Sequence, residues 1–508
     1  MAATTTTTPS SSSRRVRAFK RWMKSQGVDC SDALQLCDSP LQGISVRALC
    51  DLTEGDVVAT IPKLACLTVR TTGARDLIEA SSFDGTLALS VAIMYERSLG
   101  LRSPWAPYLN AMPYQECLPL VWTPQEVDSF LCGTELHKTV KEDQALIRED
   151  WEESILPLLE LEYFQLDPSF FGVQDYFAAK TLIASRSFMI DDFHGSGMVP
   201  LADLFNHKTA AEDVHFTSVS SHSESDSETD DNNEYERDQT PPISPTDDSD
   251  IGITPSGRKS PADFPSDWGE EPAAMEMIMV KDVKVGSEVY NTYGSLGNAA
   301  LLHRYGFTEP DNPYDIVNID MEIVLEWSSS LFSSRHNRAR VSLWRKLGFS
   351  GCDSQDSEYF EISFDGEPQI ELLILLYIMV LPEDAYYKLD FAVSTSVNSA
   401  GELKEGIGMF LLKGTSEPSG DMFMNKSVGN ALLSVANIRE SLYGSNTLED
   451  DIEAFEKCCC VREKKLYHSL MLRIGERRIL QKLRSYAAEA AHLRTSRRAS
   501  TKKKLKKT

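Results

Sequence analysis

Apolar residues at helical spacing open the readable part of the chain. Val16, Phe19, Trp22 and Met23 share one side of Val16 to Gln26, and Gly27 supplies the stop. Gly43-Ile44-Ser45-Val46-Arg47-Ala48 and Val57 to Pro62 read as two short strands joined through the Gly turn Thr53-Glu54-Gly55-Asp56. Thr86 to Arg97 returns to helical spacing, with Leu87, Val91, Met94 and Tyr95 on one side, and helical stretches continue to about Ile183. Val214-His215-Phe216 and Met275 to Val280 read as two strands that pair with each other across a long loop. After Phe307 the pattern predicts long helices over Glu322 to Leu331, Ile370 to Leu381, Asn425 to Glu440 and Thr447 to Ala490. Pro310 to Pro313 marks the junction.

Composition changes this picture mainly at three places. Residues 1–13 are rich in Thr and Ser without periodicity, and 1–15 are expected to be a disordered tail. Residues 217–272 carry 15 acidic against 3 basic residues, with 11 Ser and 7 Pro, which predicts a disordered acidic loop. Such an insertion is tolerable because loop closure costs grow only logarithmically with length. That segment holds about half of the net charge of −25. Residues 491–508 are expected to be a basic tail: from Arg494 on there are eight Lys and Arg and no acid.

A length of 508 residues suggests about three domains. The ten cysteines form no CxxC pair, and the run Cys458-Cys459-Cys460 cannot converge on one tetrahedral ion, so no metal is expected. Reduced thiols in an intracellular protein follow. The longest apolar run, Leu372 to Leu381, is far short of the roughly 20 residues that span a bilayer, and no secretory signal is seen. No membrane association is expected.

Two stretches carry the candidate chemistry: Ser185 to His207 (SRSFMIDDFHGSGMVPLADLFNH) and Glu288 to Phe307 (EVYNTYGSLGNAALLHRYGF). Neither fits a nucleotide-binding glycine loop, a nucleophile elbow or a metal-ligand spacing. Together, the Asn206-His207 close, the Tyr293-Gly294 turn and Tyr305-Gly306-Phe307 resemble the two signature motifs of SET-domain protein methyltransferases. The resemblance is to the branch of the Rubisco large-subunit methyltransferase and the fungal ribosomal-protein lysine methyltransferases, and it covers about Val16 to Ala490.

The resemblance implies an α+β fold. Residues 16–309 would form a SET-domain β core with a pseudo-knot, split by a helical insert over about 86–183. Residues 310–490 would form an all-helical substrate-binding domain. Asn206-His207 and the Tyr293 segment, remote in sequence, must then meet in space.

It also implies S-adenosyl-L-methionine as cofactor and a protein lysine as substrate. In-line methyl transfer needs alignment, exclusion of water and a neutral amine rather than an enzyme nucleophile. The family roles fall on Gln42, Gly43, Ile44, Ser185, Arg186, Asn206, His207, Tyr293 and Phe307 for the cofactor. Arg186 would meet its carboxylate, Asn206 would cap its amino-acid end and His207 would contribute mainly backbone contacts. Tyr293 would be the catalytic tyrosine beside the methyl, and Asp203 and Tyr305 would lie at the lysine channel. Relatives often carry Glu where this chain has Gln42, and a second Arg where it has Ile190. Lys208 replaces a common Ser after Asn-His.

The expected function is methylation of a non-histone protein lysine, with a ribosomal protein as a candidate target. The alternatives are protein-histidine N-methylation and a catalytically silent SET scaffold or peptide-binding adaptor. A monomer is expected. Arg497-Arg498 and Lys502 to Lys507 resemble a nuclear localisation signal, and such a tail also suits weak RNA contact. The expected location is nucleus or nucleolus, with cytoplasm in addition. The chloroplast is the alternative, because Arg14, Arg15 and Arg17 after a Ser/Thr stretch faintly resemble a transit peptide.

Overall fold

The computed structural model describes residues 13–39, 43–160, 165–218, 274–348, 358–396 and 422–505. The N-terminal helix runs Arg14–Ser25, two residues earlier than expected, because Ser13 caps it by accepting from the Val16 N–H. Its apolar side, Val16, Phe19, Trp22 and Met23, is buried as the spacing predicts.

The first sheet has the order β1 (Asp29–Cys30), β4 (Val57–Pro62), β8 (Ala274–Met279), β7 (Val214–Ser218), all antiparallel. The expected strands at Gly43–Ala48 (β3) and Val57–Pro62 are present, but they do not pair with each other. β3 pairs instead with β2 (Leu34–Ser39), in the register Leu34↔Ala48 to Ser39↔Gly43. The chain between them is held elsewhere: Leu52 bridges Val283 and Arg47 bridges Glu288. The turn at Thr53 to Asp56 forms, with the Asp56 N–H on the Thr53 carbonyl at 3.1 Å, but distant partners decide which strands pair. A second hairpin joins β5 (Ser187–Asp191) to β6 (Gly195–Met198).

β7 and β8 pair antiparallel from Val214↔Met279 to Ser218↔Met275. Thr217 and Ser218, expected in the acidic loop, are therefore strand residues, since Glu276 and Met275 face them. The rest of that loop and residues 1–12 of the N-terminal tail lie outside the described residues. The Ser218–Met275 register gives a direct expectation: replacing residues 219–273 by a short Gly/Ser turn leaves the fold intact. Circular dichroism and melting temperature check it; a fall of ten degrees or so, far beyond a loop-length entropy change of order 1 kcal/mol, would mean the segment packs on the core.

Helices Gly85–Ser98, Leu136–Asp150 and Val173–Arg186 build the insert. The first and last pack together within the core that also takes in the four-stranded sheet, the β2–β3 and β5–β6 pairs and the N-terminal helix. Past Phe307 the helices at Met321–Ser329, Ile370–Met379 and Lys426–Ser441 match expectation. Helices at Ser334–Lys346 and Glu383–Ser396 were not among those expected. The region is not wholly helical: β9 (Val317–Asp320) pairs with β10 (Tyr359–Ile362). The expected single helix Thr447 to Ala490 is two, Leu448–Lys457 and Lys464–Leu505, broken where Cys458 turns extended. The second continues through the stretch read as a basic tail, because Arg, Lys, Ala and Leu favour helix and no Gly or Pro intervenes.

The C-terminal helices have their own core, centred on Leu372–Leu376, Leu432, Val435 and Leu480. A buried ionic cluster joins them to the insert. Arg439 ion-pairs with Glu135 at 3.0 Å and lies 3.6 Å from Glu476, while Arg473 and Arg477 share Asp451. Gly133 passes so close that a Cβ there would stand 2.6 Å from the Leu442 backbone, and its φ of +78° also excludes most side chains.

Candidate active site

The two sequence stretches meet. His207 forms a parallel bridge with Asn291, and the Asn291 N–H donates to the Asn206 carbonyl at 2.9 Å. Asn206-His207 follows a short 3₁₀ turn, Ala202–Leu204, entered through Leu201 in a left-handed conformation at φ +79°. A non-Gly residue there costs of order 1–3 kcal/mol and persists because the surrounding core fixes it. Leu201, Ala202, Leu204 and Phe205 are all buried.

His207 is clamped by both ring nitrogens. Its Nδ1 accepts the Tyr293 N–H at 3.0 Å, so the proton sits on Nε2, 3.3 Å from Thr209 Oγ1. Burial lowers its pKa against the pull of Glu309, keeping the ring neutral. The Tyr293 ring stacks on it at 5.1 Å between centroids and lies 4.4 Å from Tyr305. Phe307 closes the group, 6.1 Å from His207 and 6.3 Å from Tyr305. Tyr305 ends the helix Asn298–Tyr305, and Gly306 at φ +75° turns the chain so that Phe307 faces back. The Tyr293 hydroxyl donates to the Phe205 carbonyl at 2.9 Å. Burial raises its pKa, against the opposing field of Arg186, so it remains a phenol.

Arg186, the last residue of Val173–Arg186, is held between two carboxylates. Its Nε donates to Glu116 at 2.7 Å, and its Nη1 donates to the Asp203 carbonyl at 2.8 Å and reaches Asp203 Oδ2 at 3.5 Å. Burial alone would lower its pKa, but Glu116 and Asp203 outweigh that and raise it. Asp203, expected at the channel, has a side chain with 0% exposure and is turned inward. Tyr108 donates to its Oδ2 at 3.2 Å, and its Oδ1 has no hydrogen-bond partner. Burial pushes the Asp203 pKa up to about 6 despite Arg186 and Tyr108.

That shift has a sign opposite to the common carboxylate case. The folded state holds a proton between pH of about 4 and 6 that the unfolded chain, with a carboxyl near 3.9, has released. This group's contribution to stability therefore grows as pH falls through about 6, is fully present below about 4 and is lost as pH rises through about 6. Asp203→Asn is expected to flatten the melting temperature between pH 4 and 6 relative to the parent. An unchanged slope would assign that dependence to other groups.

Asn206 is half-buried and donates through Nδ2 to Glu288 Oε1 at 2.6 Å. Gly43 and Ile44 begin β3, which meets the second stretch through the Arg47–Glu288 bridge and the Val289 N–H to Val46 carbonyl bond. Gly43 has φ +79°, and a Cβ built there meets nothing within 4 Å, which leaves open room along the backbone. Ser185 is half-buried one residue before Arg186. Gln42 lies outside the described residues. The site thus offers one guanidinium, carboxylates at Glu116, Asp203 and Glu288, an amide, a neutral imidazole and an aromatic wall. That set suits the carboxylate, ammonium and ring system of an adenosyl amino acid. Among the described residues no cluster of His, Cys, Asp and Glu is arranged to hold a metal, and no helix is long and apolar enough to cross a membrane.

Three of these residues were not legible in sequence. Glu116 sits in a loop, and its type alone carries no signal. Glu288 belongs to the second stretch, but nothing marked it off from other strand-end acids. Tyr108 lies in Trp105-Ala106-Pro107-Tyr108-Leu109, which reads as scaffold, and it is that too: its ring stacks on Trp22 at 5.8 Å and Phe19 at 5.8 Å.

No family model matches the chain. The chain is 26% identical over 388 residues to ribosomal lysine N-methyltransferase 3 of Saccharomyces cerevisiae, covering 66% of this chain and 69% of that protein. It is 25% identical over 352 residues to the N-lysine methyltransferase setd6 of Salmo salar, covering 65% of this chain and 66% of that protein. The matched part spans about two thirds of these relatives. Among solved structures, the SET domain of LSMT bound to lysine and AdoHcy superposes with a TM-score of 0.61 at 19% identity, over 95% of this chain and 92% of the other. Rubisco LSMT bound to AdoMet superposes with a TM-score of 0.60 at 18% identity, over 94% of this chain and 92% of the other.

Proposed function

We propose, proceeding from a SET-domain fold of the Rubisco large-subunit methyltransferase-like branch, that the chain is an S-adenosylmethionine-dependent protein-lysine N-methyltransferase. The observation that carries this reading is the packing of Tyr293, His207, Tyr305 and Phe307 at the crossing of the two stretches, with Arg186 beside them. S-adenosylmethionine supplies, when bound, a methyl group on a sulfonium. Arg186 would take its carboxylate, Asn206 its amino-acid end, and Gly43, Ile44, Ser185, His207 and Phe307 would line the rest.

The chain's own groups supply position and environment. Tyr293 is fixed at both ends, by its N–H to His207 and its hydroxyl to Phe205, so the oxygen faces the site without reorganising. Its lone pairs receive polarised methyl hydrogens, each contact worth about 0.5–1 kcal/mol. The Tyr293, Tyr305 and Phe307 rings exclude water and favour the neutral form of a lysine amine whose free pKa is about 10.4. Asp203 acts behind this wall through Arg186 rather than at an open channel.

Calorimetry with S-adenosylmethionine, followed by methyl release on a protein extract, tests the reading. Binding with turnover is expected. Binding without turnover on any extract favours a silent scaffold, and folded protein without binding removes the reading altogether.

A ribosomal protein as target is supported by the name of the yeast relative. We also propose a monomer, enriched in the nucleus or nucleolus through Arg494 to Thr508, with the same cations making salt-sensitive RNA contact. A fluorescent fusion is expected to lose nuclear enrichment on deletion of Arg494 to Thr508. Chloroplast fluorescence, or indifference to the deletion, would contradict this.

A further inference from the structure

An adenosyl amino acid presents a zwitterion, so a site that binds it needs an anion as well as a cation. Arg186 is the cation. Position 42, where a carboxylate would be adjacent to Gly43, is Gln42 and carries no charge. Glu288 stands where three segments converge. Its carboxylate accepts from Asn206 Nδ2 at 2.6 Å, and its backbone bridges Arg47 of the strand that begins at Gly43-Ile44. It lies in the same stretch as Tyr293, at an isolated bridge to Arg47.

Glu288 is half-buried, and the Tyr290 hydroxyl leans on the same carboxylate. Two neutral donors thus hold it, while among the described residues no Lys, Arg or His forms an ion pair with it. Its bridge partner Arg47 is the nearby cation and donates to the Gly286 carbonyl at 3.3 Å, so a partly buried carboxylate held by neutral donors is left as a place for an ammonium.

We propose that Glu288, oriented by Asn206, is the carboxylate that binds the ammonium of the cofactor's amino-acid end, the position that Gln42 cannot serve with charge. This rests on the methyltransferase reading. Asn206 is then a positioning residue as much as a contact: its amide fixes Oε1 of the carboxylate. The pair Arg186 and Glu288 then reads both ends of the zwitterion.

The test compares ligands with and without the amino-acid end. S-adenosylmethionine and its neutral thioether counterpart S-adenosylhomocysteine carry it, and 5′-methylthioadenosine, also a thioether, does not, so a loss shared by the first two is independent of the sulfonium charge. In calorimetry, Glu288→Gln keeps the shape and the Asn206 contact and is expected to weaken S-adenosylmethionine and S-adenosylhomocysteine about tenfold, a typical charge-assisted increment, with 5′-methylthioadenosine unchanged. Glu288→Asp keeps the charge on a shorter arm and is expected to fall between. If the Gln variant does not fold, the Asp variant gives the same comparison. Equal S-adenosylmethionine affinity in variant and parent overturns the inference, and so does a parallel loss for 5′-methylthioadenosine, which would signal general damage. A parent protein that binds none of these ligands would instead remove the methyltransferase reading, and this inference with it.

Discussion

Tyr293→Phe is expected to bind S-adenosylmethionine within a few-fold of the parent and to lose about a hundredfold in kcat, about 2.7 kcal/mol on the barrier. The hydroxyl touches nothing that the ring does not already hold except the Phe205 carbonyl. The ring keeps its stacking on His207 and its contact with Tyr305, and the backbone N–H still meets His207 Nδ1. Cofactor affinity, which depends on those features, should survive. What disappears is the oxygen facing the transferring methyl and the tether that aims it, both of which matter most in the transition state. The Phe205 carbonyl also loses its donor, so a small drop in melting temperature accompanies the change. A single-turnover rate at saturating cofactor checks the prediction. A kcat within threefold of the parent would take Tyr293 out of the chemistry.

The second large effect is on stability. Arg439 is 4% exposed, and its five donors meet a converging set: Gly133 O at 2.6 Å, Asn318 O at 3.0 Å, and the carboxylates of Glu135 and Glu476. Glu135 also receives the Asn318 N–H, and Glu476 receives the Tyr443 hydroxyl at 2.5 Å. One guanidinium thus serves two buried acids, of which Glu476 keeps its proton at neutral pH. Burial, with Glu135 adding to it, pushes the Glu476 pKa up to about 8 even with Arg439 and Tyr443 opposing. Arg439→Ala leaves both acids buried and facing each other, which is expected to cost about 3–5 kcal/mol. Because Glu135 precedes the helix Leu136–Asp150 and Glu476 lies in the last helix, the loss should loosen the contact of the C-terminal helices with the N-terminal half of the chain. Thermal melting checks it, and adding Glu135→Gln and Glu476→Gln to Arg439→Met should recover most of the loss. An unchanged melting temperature for Arg439→Ala would mean that the cluster is solvated.

The sequence carried the N-terminal helix, the strands at Gly43–Ala48 and Val57–Pro62, and most C-terminal helices, because each has local periodicity. It did not carry which strands pair. β3 could be matched to β2 only by knowing that Leu52 and Val289 are held by remote partners, and such contacts leave no local trace. The break at Cys458 was also hidden, since the residues around it favour helix on either side.

At the site, the aromatic cluster and Arg186 were legible only through the family motifs. Their spacing alone reads as a packed core. The electrostatic frame was not legible at all. Glu116 and Glu288 are single acids among many, and only the structure places one on Arg186 and the other on Asn206. Asp203 shows the converse. Its position was read from the motif, but burial turns its carboxylate away from any opening and towards Tyr108 and Arg186.

The central claim is that this site moves a methyl group from S-adenosylmethionine to a lysine side chain. The most direct measurement incubates the protein with methyl-labelled S-adenosylmethionine and a lysate from cells lacking it, followed by mass spectrometry of the labelled band. The account predicts label on lysine Nε of one or a few proteins, lost with Tyr293→Phe. Label on histidine, or no label from a protein that binds the cofactor, would contradict it.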